Sequence, residues 1–75
     1  MTKEDFLVEL EDILQREEPC NIEDMLEDYE EWDSLSKMAL MAFFDKRFTI
    51  KLSLKDIKEL ESVEDIIKLA GGKIQ

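Results

Sequence analysis

Residues 33–48 have the sequence DSLSKMALMAFFDKRF, and this segment predicts the helix around which the rest of the chain is arranged. Neither Gly nor Pro interrupts it, and Asp33 is a residue type that favours the position just before a helix, so we expect a helix from Ser34 to Phe48. At 100° per residue, its apolar side chains form two separate groups. The group expected to pack in a core contains Leu40, Met41, Phe44 and Phe48. The second stripe consists of Leu35, Met38 and Ala42, and it is either covered by other helices or left exposed.

The residues before this segment predict a first helix over residues 2–17. Thr2 followed by Asp5 is close to a capping box, and the apolar residues that follow recur at helical spacing. These apolar residues are Phe6, Leu10, Ile13 and Leu14. The helix is expected to end at Glu17, because the residue before Pro19 is pushed out of helical geometry.

A long acidic loop is expected between the first and second helices. Residues 19–33 contain near-continuous runs of carboxylates, which repel each other along a helix face. Three apolar residues there, Met25, Leu26 and Trp32, are expected to anchor the loop to the core. We therefore predict a loop that contains one helical turn.

The residues after Phe48 predict a connection and two further helices. Residues 49–55 alternate as TIKLSLK, and we expect an extended connection with Ile50, Leu52 and Leu54 partly turned inward. A short helix is expected over residues 56–60. The segment from Ser62 to Asp65 resembles a capping box, and it predicts a last helix from Val63 that ends at Gly71 and Gly72. The predicted fold is all-α, a small bundle of three main helices plus one short helix.

Length and charge limit the classes of protein to which this chain can belong. Seventy-five residues are expected to form a single domain, residues 1–75. The net charge is −10, and residues 1–33 alone carry fourteen acidic and two basic side chains, which disfavours contact with nucleic acid or anionic membranes. No apolar run has membrane-spanning length and the first residues do not resemble a signal peptide, so we expect a cytoplasmic protein without membrane insertion.

The side chains needed for several catalytic and metal sites are missing from the sequence. The chain has no histidine and a lone cysteine, Cys20, so it can form neither an internal disulfide, a zinc cluster nor a histidine-based triad. No glycine-rich phosphate loop is present. We therefore expect a chain with no catalytic residues and no resident metal.

The segment Trp32-Asp33-Ser34-Leu35 resembles the phosphopantetheine attachment site of acyl and peptidyl carrier proteins, in which an Asp-Ser-Leu triplet opens the second helix. The resemblance extends without a gap to about Ala70. It includes the core positions of the second helix, the apolar Leu52 ahead of the short third helix, and the junction at residues 60–63. The chain is similar to this family over more than half its length, and it resembles a specialised stand-alone member.

The resemblance implies the site, the cofactor and the partners. Ser34 would be the attachment residue for 4′-phosphopantetheine, which a phosphopantetheinyl transferase takes from coenzyme A with the help of magnesium. Asp33 would help to complete the metal site during transfer, while Leu35, Met38 and Ala42 would contact partner proteins. A loading enzyme would then attach an acyl or aminoacyl group as a thioester, and a downstream transferase or synthase would receive it. The carrier itself is expected to be a non-catalytic monomer.

The charge of the second helix favours a carrier of a specialised pathway. Carrier proteins of fatty acid synthesis present carboxylates on the second helix, but two of those positions are Ser36 and Ala39 here, and Asp45 is the only acidic residue of the helix. Its basic residues are Lys37, Lys46 and Arg47. The alternative interpretation is an unmodified acidic helical interaction module, an adaptor or inhibitor, in which Ser34 only begins a helix.

Overall fold

The computed structural model describes residues 1–75 and contains four α-helices and no strands. Their bounds are Lys3–Leu14 (α1), Ser34–Phe48 (α2), Leu54–Lys58 (α3) and Val63–Leu69 (α4), and a short 3₁₀ turn at Leu26–Asp28 interrupts the loop between α1 and α2. This architecture confirms the predicted all-α bundle of three main helices and one short helix. None of these helices combines the length and the apolar composition that crossing a membrane requires.

The core is one cluster of seventeen buried residues to which every helix and the α1–α2 loop contribute. Phe44 is fully buried at its centre, and its ring meets Phe6 and Phe48 edge-on at centroid distances of 6.4 and 5.2 Å. Edge-to-face contacts of this kind are the favoured geometry of aromatic pairs. The predicted core face of α2 is confirmed, because Leu40, Phe44 and Phe48 are buried and Met41 packs against them half-buried.

Helix α1 ends at Leu14, three residues before the predicted end. Gln15 adopts the left-handed conformation with φ 54°, and the N–H groups of Gln15 and Arg16 donate to the carbonyl oxygens of Asp12 and Glu11. This pair of bonds is a Schellman motif, which satisfies the last carbonyls of a helix. The predicted end at Glu17, which was based on Pro19, was wrong because this motif ends the helix several residues before the proline. Thr49, with φ 58°, ends α2 in the same left-handed conformation.

Helix α3 begins two residues earlier than predicted. The Ser53 hydroxyl accepts a hydrogen bond from the Asp56 N–H at 3.1 Å, and the Asp56 carboxylate accepts one from the Ser53 N–H at 2.9 Å. This capping box starts the helix at Leu54. Leu54 is therefore 68% exposed, and the expectation that it turns inward was wrong, whereas Leu52 is buried and Ile50 is half-buried.

The α1–α2 loop, residues 15–33, is anchored differently from the prediction. Leu26 is buried and Trp32 is half-buried against the core as expected, but Met25 is exposed. Its place as an anchor is taken by Tyr29, whose hydroxyl donates to the Asp24 carboxylate at 2.6 Å. The guanidinium of Arg16 also lies 4.1 Å from the centre of the Tyr29 ring.

Backbone hydrogen bonds join this loop to the junction between α3 and α4. The Leu26 N–H donates to the Glu61 carbonyl, the Val63 N–H to Asp24, and the Glu64 N–H to Ile22, at 2.9–3.2 Å. An isolated antiparallel bridge pairs Met25 with Ser62. Helix α4 then follows the predicted capping box of Ser62 and Asp65. It ends at Leu69, and its cap Ala70 is followed by Gly71, whose φ is 58°.

Candidate functional site

Asp33 and Ser36 fix the backbone around Ser34, the first residue of α2. Asp33 is the N-cap, and its Oδ1 accepts a hydrogen bond from the Ser36 N–H at 3.0 Å. The Ser36 hydroxyl in turn accepts a bond from the Asp33 N–H at 3.0 Å. This reciprocal capping box orients the first turn of the helix. Asp33 was predicted as the cap, but the part played by Ser36 was not.

Only Ser34 of the two serines in this turn has a free hydroxyl. Ser34 is exposed and its side chain makes no hydrogen bond within the chain. The Ser36 side chain is 6% exposed and is fully used by the cap, where it also donates to the Asp33 carbonyl at 3.0 Å. Ser36 is therefore not a surface position that a partner protein can contact. The site offers one accessible hydroxyl, at the position that the sequence predicted.

Asp33 keeps one carboxylate oxygen available although it caps the helix. Its Oδ1 is the oxygen that accepts the Ser36 N–H, and Oδ2 has no hydrogen-bond partner. The residue is exposed. A free carboxylate oxygen one residue from the Ser34 hydroxyl is a ligand type that magnesium prefers.

The stripe of Leu35, Met38 and Ala42 is uncovered in the structure. Leu35 is 80% exposed and Met38 is 64% exposed, and Ala42 and the neighbouring Ala39 are exposed as well. Charged side chains appear on this face of α2 only from Asp45 onward. The first half of the exposed face is therefore apolar, and it begins beside the Ser34 hydroxyl.

A groove of about 260 Å³ lies between α2 and α3 and includes Ser34 in its lining. Four apolar side chains form most of its surface: Met38, Met41, Leu54 and Ile57. Two lysines, Lys37 and Lys58, complete the lining. The Lys37 ammonium lies 5.5 Å from the centre of the Trp32 ring. Neither lysine forms an ion pair, because the ion pairs of the chain involve only Arg16 and Lys68.

A second cleft, of about 430 Å³, lies on the opposite side of the first turn of α2. Its apolar lining includes Leu35 and Ala39 of α2 and Ile13 of α1, and its charged lining residues are Glu31 and Asp33. Arg16 donates to the Glu31 carboxylate at 2.9 Å. The pKa of Glu31 lies below its ordinary value because its own backbone N–H and Arg16 both donate to it. The two sides of α2 therefore differ in charge: the unpaired charge on this side is the Asp33 carboxylate, and the unpaired charges on the other side are the ammonium groups of Lys37 and Lys58.

Sequence reasoning did not place any residue of α3 in the site. The missed residues are Leu54, Ile57 and Lys58, and the short helix had been expected to begin only at residue 56. The spacing of Ser53 and Asp56 is that of a capping box, and it could have located the start of the helix. Leu54 and Lys58 would then have been recognised as neighbours four residues apart on one helix face.

Cys20 lies outside this site and is 3% exposed. Burial is the main cause that raises the pKa of its thiol, so the thiol is neutral at pH 7. Its backbone N–H donates to the Glu11 carboxylate at 3.0 Å, which attaches the loop to α1. The contacts of Cys20 are those of a packing residue.

The residues brought together at the start of α2 are thus an exposed hydroxyl, a carboxylate with one free oxygen, an apolar stripe and a groove with two lysines. Predicted site residues Asp33, Ser34, Leu35, Met38 and Ala42 all lie on this surface. Comparison of the chain with protein-family models, with curated proteins and with solved structures gives no match.

Proposed function

We propose that this chain is a carrier protein whose Ser34 accepts a 4′-phosphopantetheine arm from coenzyme A and then carries acyl or aminoacyl groups between biosynthetic enzymes. The observation that carries the proposal is the exposed Ser34 hydroxyl, free of hydrogen bonds, at the first position of a capped helix. A hydroxyl in this place is accessible to a modifying enzyme without unfolding of the chain.

The first turn of α2 suits a phosphate ester on Ser34. The N–H groups of Ser34 and Leu35 have no partner, since the Asp33 side chain takes only the N–H of Ser36 and the Asp33 carbonyl takes that of Lys37. Unpaired N–H groups and the positive end of the helix dipole favour an anionic group at this end. The negative charge of the arm's phosphate is therefore stabilised where the arm would be attached.

In the transfer step, the Ser34 oxygen forms an ester bond to the phosphorus of the arm. The bond between that phosphorus and the adenosine bisphosphate of coenzyme A breaks, and the adenosine bisphosphate leaves. The hydroxyl proton passes to a base of the transferase, because no unpaired basic group of this chain hydrogen-bonds Ser34. Asp33 would offer its free Oδ2 as a ligand to the magnesium ion that assists the transfer. Once attached, the arm supplies a thiol that holds the cargo as a thioester on a flexible tether.

The apolar stripe on α2 is the proposed contact for the transferase and the other partners. Leu35, Met38 and Ala42 are exposed next to Ser34, and an uncovered apolar patch of this kind usually marks a surface for protein contacts. The strongly acidic residues 1–33 add long-range attraction toward a basic partner. Docking would therefore combine an apolar contact with electrostatic steering.

Replacement of Met38 with Glu tests this surface. Because Met38 is 64% exposed, the helical content of Met38→Glu should stay unchanged, while the rate of modification by the transferase should fall about tenfold if Met38 is a central contact. Val8→Glu is the matched control, since Val8 is 65% exposed on α1 and receives the same charge. Loss of helicity in Met38→Glu, or an equal loss of rate in Val8→Glu, would contradict the role of the stripe.

The experiment that tests the whole proposal is a measurement of mass. The purified chain is incubated with coenzyme A, magnesium and a broad-specificity phosphopantetheinyl transferase, and its intact mass is recorded. One phosphopantetheine should be added, none should be added to Ser34→Ala, and Ser36→Ala should still gain the arm because Ser36 serves the cap alone. An unchanged mass of the wild-type chain would refute the carrier function and favour an unmodified adaptor or inhibitor.

A further inference from the structure

We propose that the α2–α3 groove binds a cargo with an apolar body and a terminal carboxylate, so that the chain carries acyl groups that end in a carboxylate. This inference rests on the proposed attachment of the arm at Ser34. It selects one chemical class of cargo, and it disfavours a cationic aminoacyl group.

The walls of the groove determine the body of the cargo. Met38, Met41, Leu54 and Ile57 present aliphatic and thioether surface, and Met38 and Leu54 are more than 60% exposed because nothing in the chain covers them. Covering such surface with a hydrocarbon chain is favourable. Unbranched methionine side chains also adapt to cargoes of different shape.

The position of the groove relative to Ser34 allows the cargo to reach it. Ser34 is itself part of the lining, and the groove extends along α2 as far as Met41, about 10 Å at the rise of a helix. A phosphopantetheine arm is longer than this distance when extended. The arm therefore has to fold back along α2 for its cargo to enter the groove.

The charged residues of the groove favour a particular charge on the end group of the cargo. Its two charged side chains, Lys37 and Lys58, are both cations, and neither has a carboxylate partner. This is notable in a chain with twenty acidic and ten basic residues. An ammonium group beside an apolar wall attracts a carboxylate and repels the α-ammonium of an aminoacyl group.

The opposite side of α2 would not accept the same cargo. Its cleft is larger, but it is lined by no basic side chain, and its two charged lining residues are both acidic. Glu31 is paired with Arg16, so the Asp33 carboxylate is the charge that would repel an anion there. An arm that starts at Ser34 has only one side where a carboxylate-ended cargo is attracted.

Three stable thioether-linked arms test the inference. Coenzyme A is alkylated at sulfur with a hexyl, a 5-carboxypentyl or a 5-aminopentyl group, and each product is transferred to Ser34 by a broad-specificity transferase. Intact mass verifies the loading. The folded-to-unfolded ratio of each loaded chain is then measured by urea unfolding at low salt, and the methyl resonances of Met38 and Met41 are recorded by NMR.

The folded-to-unfolded ratio should be about fivefold higher with the carboxylate arm than with the ammonium arm. This is the size expected when surface lysines attract the end group of the arm instead of repelling it. The net charge of −10 acts in the opposite direction, so only a local effect of the lysines gives this result. The hexyl and carboxypentyl arms should both shift the methionine resonances. The preference should disappear in the double variant Lys37→Gln/Lys58→Gln. It should persist in the control Lys3→Gln/Lys46→Gln, in which two exposed lysines outside the groove lining are neutralised.

Each outcome separates this inference from the proposed function. If no arm is added, the carrier function fails and the inference fails with it. If the arms are added but the carboxylate has no advantage, or has the same advantage in the Lys37→Gln/Lys58→Gln variant, the anionic cargo is refuted and the carrier function stands. Unshifted methionine resonances with every arm would refute occupation of the groove.

Discussion

Asp33 caps α2 in the structure and is proposed to bind magnesium during transfer, and substitutions can distinguish these two roles. Its Oδ1 accepts the Ser36 N–H at 3.0 Å, whereas its Oδ2 is free for a metal ion. Asp33→Ala removes the cap and should lower the free energy of unfolding by about 1–2 kcal/mol. Asp33→Asn retains an oxygen acceptor and loses only the charge at the helix start, so we expect a loss of about 0.5 kcal/mol.

The two substitutions should affect the rate of Ser34 modification differently from the free energy of unfolding. An amide is a poor replacement for a carboxylate that helps to hold magnesium, and loss of such a group typically lowers metal affinity or activity about ten- to hundredfold. Asp33→Asn should therefore be almost as stable as the wild type and be modified much more slowly. Asp33→Ala should be impaired in both respects.

Urea unfolding followed by circular dichroism gives the stabilities, and intact mass against time gives the modification rates. Ser62→Ala is the matched control, because Ser62 caps α4 through the Asp65 N–H at 3.2 Å and lies outside the site. It should lose stability like Asp33→Ala and be modified at the wild-type rate. Wild-type modification of Asp33→Asn would refute the metal role, and equal destabilisation by Asn and Ala would refute the account of the cap.

Three further predictions concern strain, packing and pH. Thr49→Gly should raise the free energy of unfolding by about 0.5–1 kcal/mol, because a β-branched residue is strained at φ 58°; a decrease in urea unfolding would contradict this. Phe44→Ala should lower the free energy of unfolding by about 3–5 kcal/mol, because Phe44 is fully buried. Val8→Ala, at an exposed position, should change it by less than about 0.5 kcal/mol. Similar losses in the two variants would show that Phe44 is not a core residue. The Tyr29 hydroxyl lowers the pKa of Asp24 in the folded state, so the stability from this contact is present above the unfolded pKa of about 4 and is lost as pH falls through the folded value. Unfolding measured at pH 7 and pH 3 should therefore show a smaller difference for Tyr29→Phe than for the wild type, and an unchanged difference would exclude this contact as a cause.

The parts of the fold that were predicted correctly are those with local signals. Asp33 and the Ser62–Asp65 capping box mark the starts of α2 and α4, and Gly71 provides the positive φ after α4. The end of α1 has no such signal, because Gln15 is an uncommon residue in the left-handed conformation. A proline sets only the last position at which a helix can end. Helix α1 ends at Leu14, well before Pro19.

The same distinction explains what was predicted of the site. Ser34 was predicted from the resemblance of Asp33-Ser34-Leu35 to the carrier-protein motif. The period of a single helix groups Leu35, Met38 and Ala42 into one stripe but does not decide whether the stripe is covered, and the structure leaves it exposed. The groove depends on how α3 packs against α2, and no pattern within one helix determines that packing. For a similar reason Tyr29, rather than Met25, is buried, because the loop conformation is set by backbone bonds to a distant segment.

Because of those backbone bonds, we expect the α1–α2 loop to unfold together with α4. The loop cannot detach without breaking the hydrogen bonds of Val63 and Glu64 in the first turn of α4. Protease cleavage within the loop would therefore report global unfolding, and the amide hydrogen of Leu26 would exchange with solvent as slowly as those of the helices. A strongly acidic loop is thus fixed by backbone hydrogen bonds to the first turn of α4.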